Sequence, residues 1–482
     1  MATTLWPHQQ KGFDFAENRE ASLLGMRMGE GKSATAIALT DRWNTQRCLV
    51  VAPAGIRGVW RRELAKHSNR DHEAVILDKG SVRKRTAQAD EAWNTATKPL
   101  YLVTNYESIW RWPQAQWLLS RRWDCVILDE AHRISGQSKV SEFCAELRPK
   151  ATRRLALTGT PLTQSPLSIW GIARFLDPTV FGDDFAEFRW LYENRYTVPL
   201  RKAIAKHNQQ CLLQGVPLFV PPDEMMHGVC NPKAFLKRLA KITYRSENVV
   251  LNLPPLTIEQ RSFRLSNGAR RLYDSIAAGY GYEISTGHWL DVQDSYSITM
   301  RLQQITSGYL PDLGGRPEQI DTGKAECLAD VLDEAGGMPV VVFVRFKHDL
   351  DTVRSAAERL DLTYGEISGR RKDGIDENAV MTKGLNVVGV QEQSGGAGID
   401  LSDARIGVDY SPTWELKNYV QKIARLHRPP QKNPVIIYSL VAEDTIDEEI
   451  HRALIARQEV IDHAWRWMPR TSPDAPATCA YS

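Results

Sequence analysis

Ser22-Leu23-Leu24-Gly25-Met26-Arg27-Met28-Gly29-Glu30-Gly31-Lys32-Ser33 decides how the first part of this chain folds. A short apolar run, a glycine-bearing loop and a stretch of helical periodicity, Lys32–Thr40, describe a strand, a turn and a helix. Glycines in such a loop let backbone N–H groups approach phosphate oxygens, and the helix N-terminus adds positive potential. Lys32 can reach β- and γ-phosphates, and the Ser33 hydroxyl can ligate Mg²⁺. The full G-x-x-x-x-G-K-[ST] pattern is not met, because Met26 occupies the first glycine position. Taken alone, the stretch also reads as a glycine-rich turn capping a helix.

The same grammar repeats outward from this stretch. Apolar, β-branched runs occur at Cys48–Ala52, Tyr101–Thr104, Cys125–Leu128 and Arg154–Leu157. They return at Pro339–Val344, Asn386–Val390, Ile406–Tyr410 and Val435–Leu440. Near-continuous apolar strands of this length suit parallel sheets buried on both faces, and helical patterns such as Asp349–Leu360 lie between them. The expected fold class is therefore α/β, with doubly wound parallel-sheet lobes. Ligands of such sheets sit outside the carboxyl ends of the strands. Asp129, after Cys125–Leu128, and Thr158, after Arg154–Leu157, fall at such ends, as does the Gly25–Ser33 loop.

Residues from about 166 to 245 read as a helical, aromatic insertion on the first lobe, interrupted by the proline-rich stretch Val216–Pro222. Leu253-Pro254-Pro255 reads as an extended crossing, so the expected domains are 1–250 and 251–465. Residues 466–482, rich in Pro, Ser and Ala, are expected to be a disordered tail.

Asp129-Glu130 supplies a carboxylate that can hold Mg²⁺, through water, and a second that can orient or deprotonate an attacking water. Asp and Glu also favour a helix's first turn, which is the plainer alternative. Arg425 and Arg428 are expected one turn apart on one helical face, where guanidinium groups could neutralise charge building on a γ-phosphate. His207, Cys211, His227 and Cys230 have a loosely zinc-finger-like spacing that could hold a structural Zn²⁺. Cys230 equally suits an ordinary loop leading into a helix.

The chain's 482 residues, 42% hydrophobic and 25% charged, allow two or more domains with real cores. No apolar run approaches the roughly 18–20 residues of a membrane span. The first residues lack the basic and apolar regions of a signal peptide, and seven cysteines without a C-x-x-C pair argue against a disulfide framework. A reducing, cytoplasmic setting is the expectation. A net charge of +3 neither supports nor excludes nucleic acid; the basic clusters Arg61-Arg62, Arg83-Lys84-Arg85 and Arg370-Arg371-Lys372 are as readily solvated faces as binding patches.

As an ordered set these segments resemble the superfamily-two helicase core, and within it the Snf-type double-stranded-DNA translocases. Leu5-Trp6-Pro7-His8-Gln9 resembles the family's Q motif, Val50-Val51-Ala52-Pro53 with Trp60 and Glu63 its motif Ia, and Thr104-Asn105-Tyr106-Glu107 its motif Ib. Asp129-Glu130-Ala131-His132-Arg133 is similar to motif II, and Leu157-Thr158-Gly159-Thr160-Pro161-Leu162 to motif III. Phe175-Leu176-Asp177-Pro178, Tyr244-Arg245 and Met300–Ile305 resemble segments typical of this family rather than of helicases at large. Gly323-Lys324 and Val341–Phe346 resemble the start of the second lobe and motif IV, Gly395–Leu401 motif V, and Gln421–Gln431 motif VI. The resemblance spans roughly residues 5–450.

It implies two RecA-like lobes, ATP and Mg²⁺ as cofactors, and ATP-driven movement along duplex DNA without sequence preference. It assigns nucleotide contacts to Gln9, which would read adenine, and to Gly29, Glu30, Gly31, Lys32, Ser33, Gly398 and Asp400. Ser33 and Asp129 would hold the metal, and Lys32, Asp129, Glu130, Arg425 and Arg428 would act in hydrolysis, the arginines completing the site when the lobes close. Ala54, Gly55, Thr104 and Asn105 are the implied DNA contacts. Two departures stand out: Met26-Arg27 where the family usually carries an acidic pair, and Glu392-Gln393 where it carries a Thr-Arg type. With no room for chromatin-reading modules, the expectation is a small translocase. A strand-separating DNA or RNA helicase, and a nucleotide-gated DNA-binding or annealing factor, are the alternatives.

Overall fold

Each of the apolar runs becomes a strand, and the strands assemble into two all-parallel sheets. The computed structural model describes residues 4–27, 29–54, 57–159, 166–192, 232–246, 253–278, 282–283, 289–290, 295–311, 316–376, 380–392, 399–429 and 431–455. The chain divides into two compact units, whose described parts run from 4 to 246 and from 253 to 455. No helix among the described residues is long and apolar enough to cross a membrane.

The first unit contains β1 (Ala21–Gly25), β2 (Arg47–Ala52), β3 (Glu73–Ile76), β4 (Leu100–Asn105), β5 (Trp123–Asp129), β6 (Ala151–Thr158) and β7 (Thr243–Arg245). They form one seven-stranded sheet in the order β3-β4-β2-β5-β6-β1-β7. β1, β2, β4 and β5 are buried along nearly their whole length, as strands covered on both faces must be. The register sets Gly25 beside Thr158 and Asp129 beside Leu157, so the carboxyl ends of β5, β6 and β1 are neighbours. The expected helical insertion supplies helices Trp170–Leu176, Phe185–Tyr192 and Pro232–Leu239. Its aromatic side chains pack on one another, with Phe181 stacked on Phe235 at 4.9 Å and Trp170 packed on Phe185 at 5.0 Å, and they join the core of the first sheet. The insertion returns as β7, a strand rather than a helix, which extends the sheet beside β1.

The second unit opens with β8 (Leu256–Phe263). Short hairpins follow, β9 (Tyr282–Glu283) with β10 (Trp289–Leu290), and β11 (Tyr309–Pro311) with β12 (Pro317–Gln319). Its main strands are β13 (Val340–Val344), β14 (Tyr364–Ile367), β15 (Val387–Gln391), β16 (Ile406–Asp409) and β17 (Val435–Ala442). The six-stranded order is β14-β15-β13-β16-β17-β8, parallel throughout. A buried ion pair fastens its helices to the sheet. Lys324 Nζ lies 2.7 Å from Asp447 Oδ2, both side chains are almost fully enclosed, and the Thr306 hydroxyl donates to Asp447 Oδ1 at 2.9 Å.

Candidate functional site

The β1 loop turns into the helix Lys32–Arg42 through two left-handed glycines, Gly29 at φ 81° and Gly31 at φ 82°. A Cβ on Gly31 would lie 2.1 Å from Gln9 Nε2, so only glycine lets these segments approach. Gln9 is fully committed within the fold. Its Nε2 donates to the Glu30 carbonyl at 3.0 Å, and its Oε1 accepts from the Trp6 N–H at 2.9 Å. Glu30 is also turned inward; its Oε2 accepts from the Arg27 N–H at 2.6 Å and from the Ser246 hydroxyl at 2.5 Å. These two residues build the loop, while Lys32, whose ammonium donates to the Met26 and Arg27 carbonyls, and the half-buried Ser33 stand at the helix start.

Asp129 and Glu130 lie at the end of β5, both nearly enclosed. Burial, reinforced by the neighbouring Glu130 charge, pushes the Asp129 carboxyl up to about 7, while the Trp60 N–H and the Lys32 charge pull it down. Trp60 Nε1 donates to Asp129 Oδ2 at 2.9 Å, and the Tyr106 hydroxyl donates to the Asp129 carbonyl at 2.7 Å. Glu130 holds a left-handed φ of 52°, a conformation a non-glycine residue keeps only when its surroundings enforce it. His132 Nδ1 sits 3.3 Å from Glu130 Oε2 and 3.3 Å from Thr158 Oγ1, so one imidazole joins the end of β5 to the end of β6.

The motif Ib positions are corrected. Thr104 is completely buried, its Oγ1 accepting from Gln114 Nε2 at 2.9 Å and lying 3.2 Å from Ser108 Oγ. Asn105 is also enclosed, and its Oδ1 collects Arg85 Nη1 at 3.1 Å, Arg57 Nη1 at 3.3 Å and Ser108 Oγ at 2.9 Å. Both residues therefore position groups rather than present their own side chains. The cations that Asn105 gathers, half-buried Arg57 and Arg85, are what this edge offers beside exposed Ala54. In the Arg370-Arg371-Lys372 cluster, Arg370 is paired with Asp351 and Glu366, and Arg371 with Asp373, as on a solvated face.

In the second unit the helix Leu416–Leu426 carries Arg425, which is 5% exposed. Burial pushes its guanidinium down to about 10, against the opposing Glu392 charge. The helix stops at Leu426, with His427 at φ −98°, ψ 76°, so Arg428 does not continue the face of Arg425 as expected. Pro429 explains the stop, because a residue before proline is pushed out of the helical region. Asp400 caps its own turn, Oδ1 accepting from the Ser402 N–H at 3.0 Å and hydroxyl at 2.6 Å. Among the described residues no group of three or more His, Cys, Asp or Glu could hold a metal. Met28, Gly55, Gly398, Gln393, the zinc candidates His207, Cys211, His227 and Cys230, the Val216–Pro222 stretch and the 466–482 tail lie outside the described residues.

Residues whose roles the sequence did not disclose are Trp60 as a donor to Asp129, His132 as the bridge, and Ser246 as the anchor of Glu30. The motif resemblance marked the first two positions without giving them these contacts.

Two family models match this chain. Residues 8–308 match the SNF2-related domain, and residues 323–430 match the helicase conserved C-terminal domain. The chain is 25% identical over 462 residues to the SWI/SNF-related matrix-associated actin-dependent regulator of chromatin subfamily A member 1 of Mus musculus, covering 90% of this chain and 40% of that protein. It is 24% identical over 524 residues to the DNA repair and recombination protein RAD54-like of Drosophila mojavensis, covering 93% and 62%. The chain thus spans less than two thirds of the length of these relatives. The Sulfolobus solfataricus SWI2/SNF2 ATPase core in complex with dsDNA is similar at TM-score 0.42 and 20% identity, covering 97% of this chain and 95% of that one. The SNF2-related match runs unbroken from the helix bearing Gln9, through Lys32, Asp129 and Ser246, into the second unit, and the chain belongs to the SNF2-related family.

Proposed function

We propose that this chain is an ATP-hydrolysing motor that moves along double-stranded DNA. The observation that carries the reading is the gathering of Lys32, the buried Asp129–Glu130 pair and the His132–Thr158 bridge at the ends of β1, β5 and β6. A protein that only binds DNA needs no such group.

Two carboxylates enclosed side by side, one of them raised by burial and its neighbour's charge, fit a dication. Asp129 and the Ser33 hydroxyl would hold Mg²⁺, which when bound neutralises phosphate charge. The N–H groups of Gly29–Ser33 and the Lys32 ammonium cradle the phosphates. Glu130 accepts the proton of the attacking water, and His132 communicates its state to Thr158. Arg425 and Arg428 counter the charge that builds on the transferring phosphoryl group. Arg57 and Arg85 grip DNA phosphates, contacts that carry no sequence information.

Turnover with duplex DNA, single-stranded DNA and RNA across a salt series tests the proposal. Duplex DNA should stimulate hydrolysis most, with affinity falling as salt rises; stimulation by RNA alone would sink it. Glu130→Gln should retain ATP in a binding assay while turnover drops by about 10²-fold or more. Surviving turnover would mean that another group activates the water.

A further inference from the structure

We propose that Glu392 is a positioning residue that, through Lys422, fixes the helix Leu416–Leu426 so that Arg425 is aimed for phosphoryl transfer. This rests on the reading of Arg425 given above.

Lys422 lies one turn before Arg425 on that helix. Its Nζ is 2.6 Å from Asp409 Oδ2 and 3.0 Å from Glu392 Oε1, and the three side chains are 4%, 2% and 3% exposed. Asp409 ends β16 and Glu392 follows β15, the two strands that flank β13. Lys422 therefore spans the end of β13 like a strap, and the Glu392 N–H closes the arrangement by donating to the Val344 carbonyl at 2.9 Å. The Leu401 N–H donates to the Arg425 carbonyl at 3.2 Å, a further tie on the helix.

Charge counting separates the two carboxylates. Asp409 alone neutralises Lys422, so Glu392 is a surplus buried anion, costly unless another cation answers it. Arg425, one turn on, is such a cation: the Glu392 charge opposes the lowering of its guanidinium by burial. Lys422, a turn before Arg425, lies against two carboxylates at strand ends. Glu392 is held by its bond from Lys422 and by the Thr413 side chain, and its charge also acts on Arg425. Glu392 is also the residue at which this chain departs from the family's Thr-Arg type.

DNA-stimulated ATPase kinetics and melting temperature of the full chain test the proposal on Glu392→Gln, Lys422→Met, the double variant and Arg425→Ala. Glu392→Gln should lower kcat between about 10- and 100-fold, the scale of a slightly misplaced group, with KM for ATP within about twofold and melting unchanged. Lys422→Met leaves Asp409 buried without its cation and should lower the melting temperature; adding Glu392→Gln removes one of the two buried charges and should recover part of that loss but not kcat. Wild-type kcat in Glu392→Gln, or kcat returning together with melting in the double variant, overturns the proposal. If Arg425→Ala abolishes turnover while Glu392→Gln leaves it intact, only the role of Glu392 fails. Full turnover in Arg425→Ala removes the reading of Arg425 and this proposal with it.

Discussion

Gly31 shows how tightly single residues are constrained in the first unit. Its backbone is left-handed, and its missing side chain makes room for the Gln9 amide. Gly31→Ala should therefore cost about 1–2 kcal/mol in backbone strain and also push Gln9 off the Glu30 carbonyl. The expected result is a several-fold rise in the ATP concentration needed for half-maximal turnover, read by titration. Lys32, Asp129 and Glu130 were legible because their chemistry demands those residue types beside a strand. Trp60, His132 and Ser246 were not, because their roles depend on partners 69, 26 and 216 residues away. Gln9 and Glu30 read in the sequence as nucleotide contacts, whereas their side chains bond within the fold and shape the loop.

At the scale of elements, strands buried on both faces announced themselves, since a run such as Val340–Val344 has one reading. Glu73–Ile76 and Tyr364–Ile367 were missed because they are four-residue edge strands, and Leu256–Phe263 because its residues are mostly exposed and polar. Helix ends were less legible still, as Arg428 illustrates. The helix Lys347–Arg359 holds a buried Asp349 at its start, whose Oδ2 accepts from the Phe346 N–H at 3.2 Å and the Ser411 hydroxyl at 2.5 Å. Burial raises this carboxyl from 3.8 to about 7. Between those values the folded chain keeps a proton that the unfolded chain releases. Stability from this group is complete below 3.8 and is lost as pH rises through about 7. Asp349→Asn keeps an acceptor for both donors and should flatten that part of the pH profile, measured by denaturant midpoints across pH.

The whole molecule rests on two parallel sheets with largely apolar cores and a few buried charges. Lys324 and Asp447 form the most enclosed ion pair among the described residues. Lys324→Met should destabilise the second unit by about 3–5 kcal/mol, because Asp447 is left buried and uncompensated; replacing both by apolar residues should recover much of the loss. Urea unfolding of the single and double variants checks this. The pairing of β8 with β17 has a different consequence, one of timing. The first strand of the second unit lies against the last over eight residues, Leu256–Phe263 against Val435–Ala442. While the chain is being synthesised, β8 leaves the ribosome long before its neighbour exists, and such distant pairings are slow to reward the loop closure they require. Nascent chains stalled before Val435 should be cut readily by protease after Leu256 and protected once Ala442 has emerged. The second unit is thus a late product of translation, exposed to chaperones and proteases until its closing strand arrives.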